Sequence, residues 1–254
     1  MYKLIALDMD GTLLNDDKII TPKTKQAIRE VVEKGVKIVM CTARPIYRIS
    51  EYLNELNLMK SKQYTVSFNG AIIYENLNFI KLTDNSLKKE QITEIIRLAK
   101  EIKVYTAFYY ENGKLEKSEI DNENEVFDEI KERKIYKIVF FDTPDNIKSI
   151  YENAKSKLGS VCEITNSEPT RIEFVQKEIN KAKALEYICK INNIDVKDII
   201  AIGDGDNDTE MIKLAGLGVA MGNGVEQLKN NADYITESNN NDGIVNVIQK
   251  YLLK

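Results

Sequence analysis

Histidine is absent from the 254 residues. That excludes Ser-His-Asp and Cys-His catalysis and any imidazole-ligated metal, so acid-base work falls to carboxylates, lysine or tyrosine. Cysteine is scarce: Cys41, Cys162 and Cys189 are odd in number, far apart and lack CxxC spacing. Neither a disulfide framework nor a cysteine zinc site is indicated, and reduced thiols in a core are expected. Glycine (12) and proline (4) together stand at about half their ordinary usage. This speaks against long linkers and disorder. No apolar run approaches the ~20 residues that cross a bilayer, and Met1-Tyr2-Lys3 leads into a short apolar stretch rather than a signal segment. The expectation is a cytoplasmic chain with no membrane partner. A net charge of −4, with both signs interspersed, removes the electrostatic motive for binding nucleic acid.

What is present alternates. KLIALD (3–8) is a short apolar run ending at an acid, and helical spacing at Ile28, Val31 and Val32 follows over 22–34. Thr21 before Pro22 marks the start of that helix and Gly35 its end. VKIVM (36–40), a helix over 45–57 and YTVSF (64–68) continue the rhythm of a parallel sheet with crossover helices. It resumes with a helix at 181–192, a strand at 198–204, a helix at 207–215, a strand at 217–221 and a last helix at 241–252. Between them the order changes, to helix 86–101, strand 103–110, an acidic stretch at 119–132, strand 135–141, helix 144–157 and strands 160–165 and 170–175. The expected architecture is an α/β, Rossmann-like parallel-sheet core over 1–83 and 179–254, with an inserted α+β domain at 84–178. That insert carries 16 basic and 20 acidic side chains, hence the whole net charge, and its acidic run reads as a solvated helix face.

Ligands of parallel sheets bind beyond the carboxyl ends of the strands. The acids lie there: Asp8 and Asp10 after the first strand, and Asp204, Asp206 and Asp208 after the strand at 198–203. Carboxylates gathered in one place repel unless neutralised, and an all-oxygen set of this charge favours a hard cation such as Mg²⁺. Competing readings fail on particular residues. The run 204–208 opens like a calcium loop, but Thr209 replaces the needed glycine and Ala215 the bidentate glutamate. Gly203-x-Gly205-x-x-Asp208 lacks the third glycine of a dinucleotide fingerprint. Asn207-Asp208-Thr209 is a formal glycosylation sequon inside an acidic cluster, and it is discounted. Thr42 and Arg44, after the strand VKIVM, offer a hydroxyl, backbone N–H groups and a positive charge suited to a phosphate.

MDGTLL after a strand-ending Asp8, CTARP, SFNGA, Lys181 before AKAL, and GDGDNDTEM occur in that order. Together with VAMGNGVEQLKNNADYIT and NNNDGIVNVIQKYL, they make the chain resemble, over essentially its whole length, the haloacid dehalogenase-like hydrolases of the Cof type (subfamily IIB). The resemblance implies a Mg²⁺-dependent phosphatase acting on small phosphorylated metabolites, particularly sugar phosphates, through an aspartyl-phosphate. A phosphotransferase or phosphomutase using the same intermediate, or a regulator that binds without turnover, are the alternatives. The resemblance makes Asp8 the nucleophile and Asp10 the acid-base group. It assigns metal contacts to Asp8, Asp10 (through its backbone carbonyl), Asp204 and Asp208, the last from behind the direct ligands. Gly11 and Thr12 would shape the catalytic turn. Thr42, Lys181 and Asn207 would hold phosphoryl oxygens, with Ala43, Arg44 and Asn69 at the phosphate or substrate rim. The inserted domain would be a cap that selects substrate. Ala182 and Gly224 depart from the residues common in that family, without loss of a functional group.

Overall fold

The computed structural model describes residues 2–253, which group into two compact units. The first comprises the chain up to Arg44, Arg48–Thr83 and the chain from Asn180 on; the second comprises Pro45–Tyr47 and Asp84–Ile179.

The first unit is built on an eight-stranded sheet. In chain order its strands are β1 (Leu4–Leu7), β2 (Lys37–Cys41), β3 (Tyr64–Ser67), β4 (Ile72–Glu75) and β5 (Ile80–Asp84). The second unit supplies β6 to β10, and the first resumes with β11 (Ile199–Gly203), β12 (Leu217–Ala220) and β13 (Tyr234–Ile235). The spatial order is β13-β12-β11-β1-β2-β3-β4-β5, and every pair from β13 to β3 is parallel. β1, β3, β11 and β12 are buried along their whole length, and β2 is buried after Lys37. A parallel strand covered on both faces must read as a near-continuous apolar run, as LIAL and IIAIG do. Helices α1 (Pro22–Glu33), α6 (Lys181–Asn192), α7 (Thr209–Leu214) and α9 (Gly243–Tyr251) are the main covering elements. Leu4, Ala6, Val39 and Ala201 pack with Leu185, Ile188 and Met211 in one core cluster. Thr21 caps α1 by accepting from Thr24 N–H, with Pro22 in the first turn.

β1 lies between β11 and β2, with Leu7 opposite Ile202 on one side and Met40 on the other. The chain runs outward through β2 and β3 on one side and through β11, β12 and β13 on the other, so β1/β11 is the topological switch point. The residues that follow β1, β11 and β2 therefore leave the sheet at the same edge.

The second unit carries an antiparallel sheet of β6 (Tyr105–Tyr110), β7 (Gly113–Lys117), β8 (Lys137–Phe141), β9 (Cys162–Glu168) and β10 (Arg171–Gln176), in the order β7-β6-β8-β10-β9. Helices α3 (Lys89–Ile102), α4 (Glu123–Ile130) and α5 (Pro144–Leu158) share one core with Phe108, Ile138, Phe140, Ile172 and Phe174 of the sheet. Strand alternation sends Lys137 and Glu173 to the opposite face, where they form a buried ion pair at 2.8 Å. The acidic stretch expected as a solvated helix face is α4, which buries Val126 and Ile130 and exposes most of its acids.

Three features depart from the sequence reading. The helix expected over 45–57 is a 3₁₀ turn at Ile46–Arg48 followed by a short α2 (Ser50–Glu55), and Asn57 beyond it takes the left-handed conformation (φ 57°) that stops helices. β4, β5 and β7 have no counterpart in the sequence reading: β5 and β7 mix polar and apolar residues and are only partly buried, and β4 is apolar and buried but only four residues long. The same holds for the four-residue α8 (Glu226–Lys229) and the two-residue β13. All three cysteines are free and buried, and burial pushes the Cys189 thiol up to about 11 and the Cys162 thiol up to about 12. They are inert packing residues at neutral pH. Among the described residues no helix is long and apolar enough to cross a membrane.

Phe140 is fully buried and packs on Phe174 with ring centroids 4.6 Å apart. Phe140→Ala is expected to destabilise the second unit by about 3–5 kcal/mol. Equilibrium urea unfolding followed by far-UV circular dichroism checks this, and an unchanged transition would contradict the packing described.

Candidate active site

The site is assembled by three strand ends and one helix start. Asp8 leaves β1 with its N–H bonded to Ile202 C=O at 3.0 Å. The chain then turns, with Thr12 and Leu14 N–H donating to Met9 C=O and Leu13 N–H to Asp8 C=O. Gly11 sits at φ +76°, and a Cβ there would lie 2.3 Å from Asp204 Oδ2. Conformation and space both demand glycine at this turn. Thr12 Oγ1 donates to Asp204 Oδ1 at 2.7 Å, which ties the first acidic segment to the second.

After β11, Asp208 folds back on its own segment. Its Oδ2 accepts from Asp204 N–H and Gly205 N–H, both at 3.0 Å. Any side chain at Gly203 would strike it, since a Cβ there would meet the Asp208 carboxyl at 2.5–2.6 Å. α6 begins at Lys181, preceded by Asn180, whose side chain caps the helix by accepting from Lys183 N–H at 2.9 Å. Gly70 (φ +115°) lets the β3 loop approach that start so closely that a Cβ on it would lie only 2.5 Å from the Asn180 carbonyl oxygen. Lys181 Nζ, fully buried, donates to Asp8 Oδ1 and to Asp208 Oδ1, each at 2.6 Å.

Asp8, Asp204 and Asp208 each offer a carboxylate oxygen within 4.8 Å of the others. When all are ionised, one ammonium faces three carboxylates, an excess of two negative charges in a buried place. The titration behaviour reflects the mismatch. Burial, reinforced by Asp208 and Asp204 against the opposing pull of Lys181, pushes the Asp8 carboxyl well above its ordinary value. Burial and then Asp208 push Asp204 up to about 6. Burial disfavours the charge on Lys181, but the Asp208 and Asp8 carboxylates outweigh it and hold the ammonium well above the usual lysine range. A hard, all-oxygen donor set lacking two positive charges is chemically suited to a divalent cation such as Mg²⁺.

Asp10 is placed differently. Its carboxylate lies outside this cluster and is gripped by Arg44, Nε to Oδ2 at 2.7 Å and Nη2 to Oδ1 at 2.6 Å, with Lys18 Nζ at 3.0 Å. Burial works against the charge, yet Arg44 and then Lys18 hold Asp10 below the usual carboxylate range. Arg44, expected to face a phosphate, is thus occupied by Asp10 and also lies 5.7 Å from the Tyr52 ring centre. Thr42 is buried, with its Oγ1 accepting from Arg44 N–H at 3.1 Å. Asn207 Nδ2 donates to Asn69 Oδ1 at 3.1 Å, and Asn69 takes a left-handed φ of 57°. Asp206 is exposed and stands apart from the three-carboxylate cluster. Sequence reasoning missed Lys18, Asn223 and Asn239 as neighbours of the turn, because none of them forms a spacing pattern with the acids.

The haloacid dehalogenase-like hydrolase family model matches residues 5–248. A Bacillus subtilis (strain 168) protein, the 5-amino-6-(5-phospho-D-ribitylamino)uracil phosphatase YcsE, is 36% identical over 254 residues, covering 99% of this chain and 96% of its own. A haloacid dehalogenase-like hydrolase from Bacteroides thetaiotaomicron is similar in structure, with a TM-score of 0.82 and 28% identity over 98% of this chain and 99% of that one. The subclass IIB sugar phosphatase BT4131 superposes with a TM-score of 0.84 over 98% of both chains, and at 24% identity it speaks to the fold alone.

Two outcomes test the charge arrangement. With metal chelated, the raised Asp204 means that the folded protein binds more protons than the unfolded chain between the unperturbed value of about 4 and the folded value of about 6, so its stability falls as pH rises through that window. Asp204→Asn in EDTA should therefore melt higher than wild type at pH 7.5, with the gain vanishing near pH 4 and the order reversing in Mg²⁺. Asp10 has the opposite sign. Its stabilisation through Arg44 is present above the unfolded carboxylate value and is lost as pH falls through its lowered folded value. The melting gap between wild type and Arg44→Ala should narrow as the pH is taken below about 4.

Proposed function

The chain belongs to the haloacid dehalogenase-like hydrolases, and on that basis we propose that it is a Mg²⁺-dependent phosphatase of small phosphorylated metabolites with polyhydroxylated bodies, sugar or ribityl phosphates. The observation that carries this reading is the clustering of the Asp8, Asp204 and Asp208 carboxylates, with the buried ammonium of Lys181 paired to Asp8 and Asp208. The substrate class is supported by the 36%-identical relative, whose substrate carries a phosphoribityl chain.

In this reading Asp8 Oδ attacks phosphorus, the P–O bond to the leaving alcohol breaks, and an aspartyl-phosphate forms. The departing oxygen takes a proton from Asp10. Water then attacks the same phosphorus, Asp10 accepts its proton, and inorganic phosphate leaves with Asp8 restored as a carboxylate. Arg44 and Lys18 keep Asp10 ionised at rest, the form that receives a proton from water; to serve as the acid of the first half-reaction Asp10 first takes up a proton from solvent, against the pull of these two cations. Lys181, held charged, offsets negative charge on the phosphoryl oxygens, with Thr42 and Asn207 as hydrogen-bonding partners. Asp8 and Asp204, with the Asp10 backbone carbonyl, would hold Mg²⁺, and Asp208 would support it from behind these ligands. That ion, when bound, supplies the electrostatic stabilisation that phosphoryl transfer chiefly requires. Ala43, Arg44 and Asn69 flank the substrate, and the second unit acts as the cap that selects among leaving groups.

Phosphate release from a panel of phosphorylated sugars, polyols, nucleotides and cofactors tests the proposal, in Mg²⁺ and in EDTA. Turnover is expected in Mg²⁺ alone and is expected to fall to background in Asp8→Asn, because an amide is a far poorer nucleophile than a carboxylate. Full activity in that variant, or the same rate in EDTA, overturns the reading.

A further inference from the structure

The motif-bearing tail of the chain has no part in the chemistry above, yet it lies along the catalytic turn. The segment after β12 docks first on the second acidic cluster, with Met221 N–H donating to Gly203 C=O and Val225 N–H to Asp204 C=O, both at 2.9 Å. From the same loop Asn223 Nδ2 reaches Gly11 C=O at 2.8 Å. Asn223 Oδ1 in turn accepts from Asn239 N–H at 2.9 Å. Asn239, only 7% exposed, directs its amide at the turn, with Nδ2 donating to Leu14 C=O at 3.0 Å and to Asp16 Oδ1 at 3.2 Å. Asn240 and Asp16 exchange two further hydrogen bonds, at 2.8 and 3.1 Å. Asp242 accepts from Thr21 Oγ1 at 2.5 Å, where the turn feeds α1.

The gripped carbonyls, Gly11 and Leu14, bracket Thr12, whose hydroxyl is bonded to Asp204. One relay of asparagines thus ties the backbone of the turn that carries Asp8 and Asp10 to the backbone that carries Asp204. Asparagine suits the task. Its amide donates to carbonyls that the turn cannot satisfy internally, its oxygen accepts the next backbone N–H, and it adds no charge beside an acidic cluster. Aspartate would supply no donor, and a longer side chain would not fit the 2.8–3.2 Å spacing.

We infer that Asn239, relayed through Asn223, is a positioning residue that sets the spacing between the Asp8–Asp10 turn and Asp204, and so sets how tightly the acidic cluster holds a divalent cation. The inference rests on the phosphatase reading for its kinetic consequences and on the geometry alone for its metal-binding consequence. The hydrogen bonds of Asn239 go to Asn223, Leu14 and Asp16 rather than to the carboxylates of Asp8, Asp10, Asp204 or Asp208.

The test compares the full chain with Asn239→Ala, Asn239→Asp, Asn223→Ala and Ile248→Val. The last is a buried change in α9 that lowers stability without touching the turn. Two quantities are read: the Mg²⁺ concentration giving half of the thermal stabilisation by Mg²⁺, and kcat and KM on the best substrate of the panel. Asn239→Ala is expected to need about tenfold more Mg²⁺ and to lose about 10- to 100-fold in kcat with KM nearly unchanged, the usual scale for groups that orient metal-binding residues. Asn239→Asp should be at least as impaired, because a carboxylate would face the Leu14 carbonyl and Asp16. Asn223→Ala, at an exposed position, should show the same pattern several-fold weaker, and Asn223→Ala combined with Asn239→Ala should add little to the worse single change. Ile248→Val should lower the melting temperature and leave both readouts at wild type. An unchanged Mg²⁺ half-point in Asn239→Ala overturns the inference, as does a kcat loss that Ile248→Val reproduces at equal melting temperature. A wild type that takes up Mg²⁺ but releases no phosphate overturns the phosphatase reading alone, and the Mg²⁺ half-points still decide the clamp. A wild type that gains no stability from Mg²⁺ overturns both.

Discussion

Three clustered carboxylates, two buried and one half-buried, against one buried ammonium is the constraint around which the first unit is organised. At the switch point of a parallel sheet, Asp8 and Asp204 arrive on neighbouring strands, so their proximity follows from the β1–β11 pairing and costs the chain no extra loop. Lys181 reaches them from the start of α6 and lies within 2.6 Å of both Asp8 and Asp208. A single cation cannot balance three anions where water is excluded, and the upward displacement of Asp8 and Asp204 expresses that strain. Such an arrangement is poised to take up positive charge from outside, which is what a metal-assisted phosphoryl-transfer site requires.

Much of the surrounding backbone is shaped by the need to bring these groups so close. Gly11 and Gly203 stand where a side chain would strike the Asp204 or Asp208 carboxyl, and Gly70 where it would strike the start of α6. Backbone N–H groups do what further cations would otherwise have to do: two of them satisfy Asp208, which leaves its second oxygen for Lys181. Asp10 is kept out of the crowd by Arg44 and Lys18, so the residue proposed to carry protons has its own counter-ions and a titration behaviour opposite in sign to that of its neighbours two residues away and across the cluster. This separation lets one sheet edge host carboxylates displaced in opposite directions.

How much of this is readable in the chain depends on the range of the interactions. β1, β11 and β12 are legible because a strand buried on both faces has to be apolar throughout, and α1 is legible because Thr21 and Pro22 announce its start by local geometry. β5 and β13, at the two ends of the sheet, gain their pairing from neighbours already in place, and β4 is apolar but only four residues long. The expected 45–57 helix breaks into a 3₁₀ turn and a short α2, an outcome that the apolar spacing does not reveal. In the site, acids after apolar strands can be picked out from composition and order. Arg44 reads as a phosphate partner because a positive charge after a strand end is generic; that it pairs with Asp10 depends on two side chains meeting from different loops. Asn223 and Asn239 lie in segments that carry the family resemblance, but their contacts are not readable in the sequence for the same reason: an asparagine in a loop is ordinary until the loop it touches is known.

By itself the sequence determined the classes of chemistry available: no imidazole, no thiol framework, oxygen ligands at strand ends, an alternating α/β core and an insert that carries the net charge. These are properties of residue type, order and local periodicity, which survive in one dimension. Only the tertiary structure decided which acid is neutralised by which cation, which carboxylates share one buried point, and which tail residues hold the turn in place. Those outcomes turn on contacts between residues such as Lys181 and Asp8, or Asn239 and Leu14, that lie far apart along the chain and meet within about 3 Å. Electrostatic and hydrogen-bond energies at such range depend on distance and burial, and neither is defined until the chain has folded.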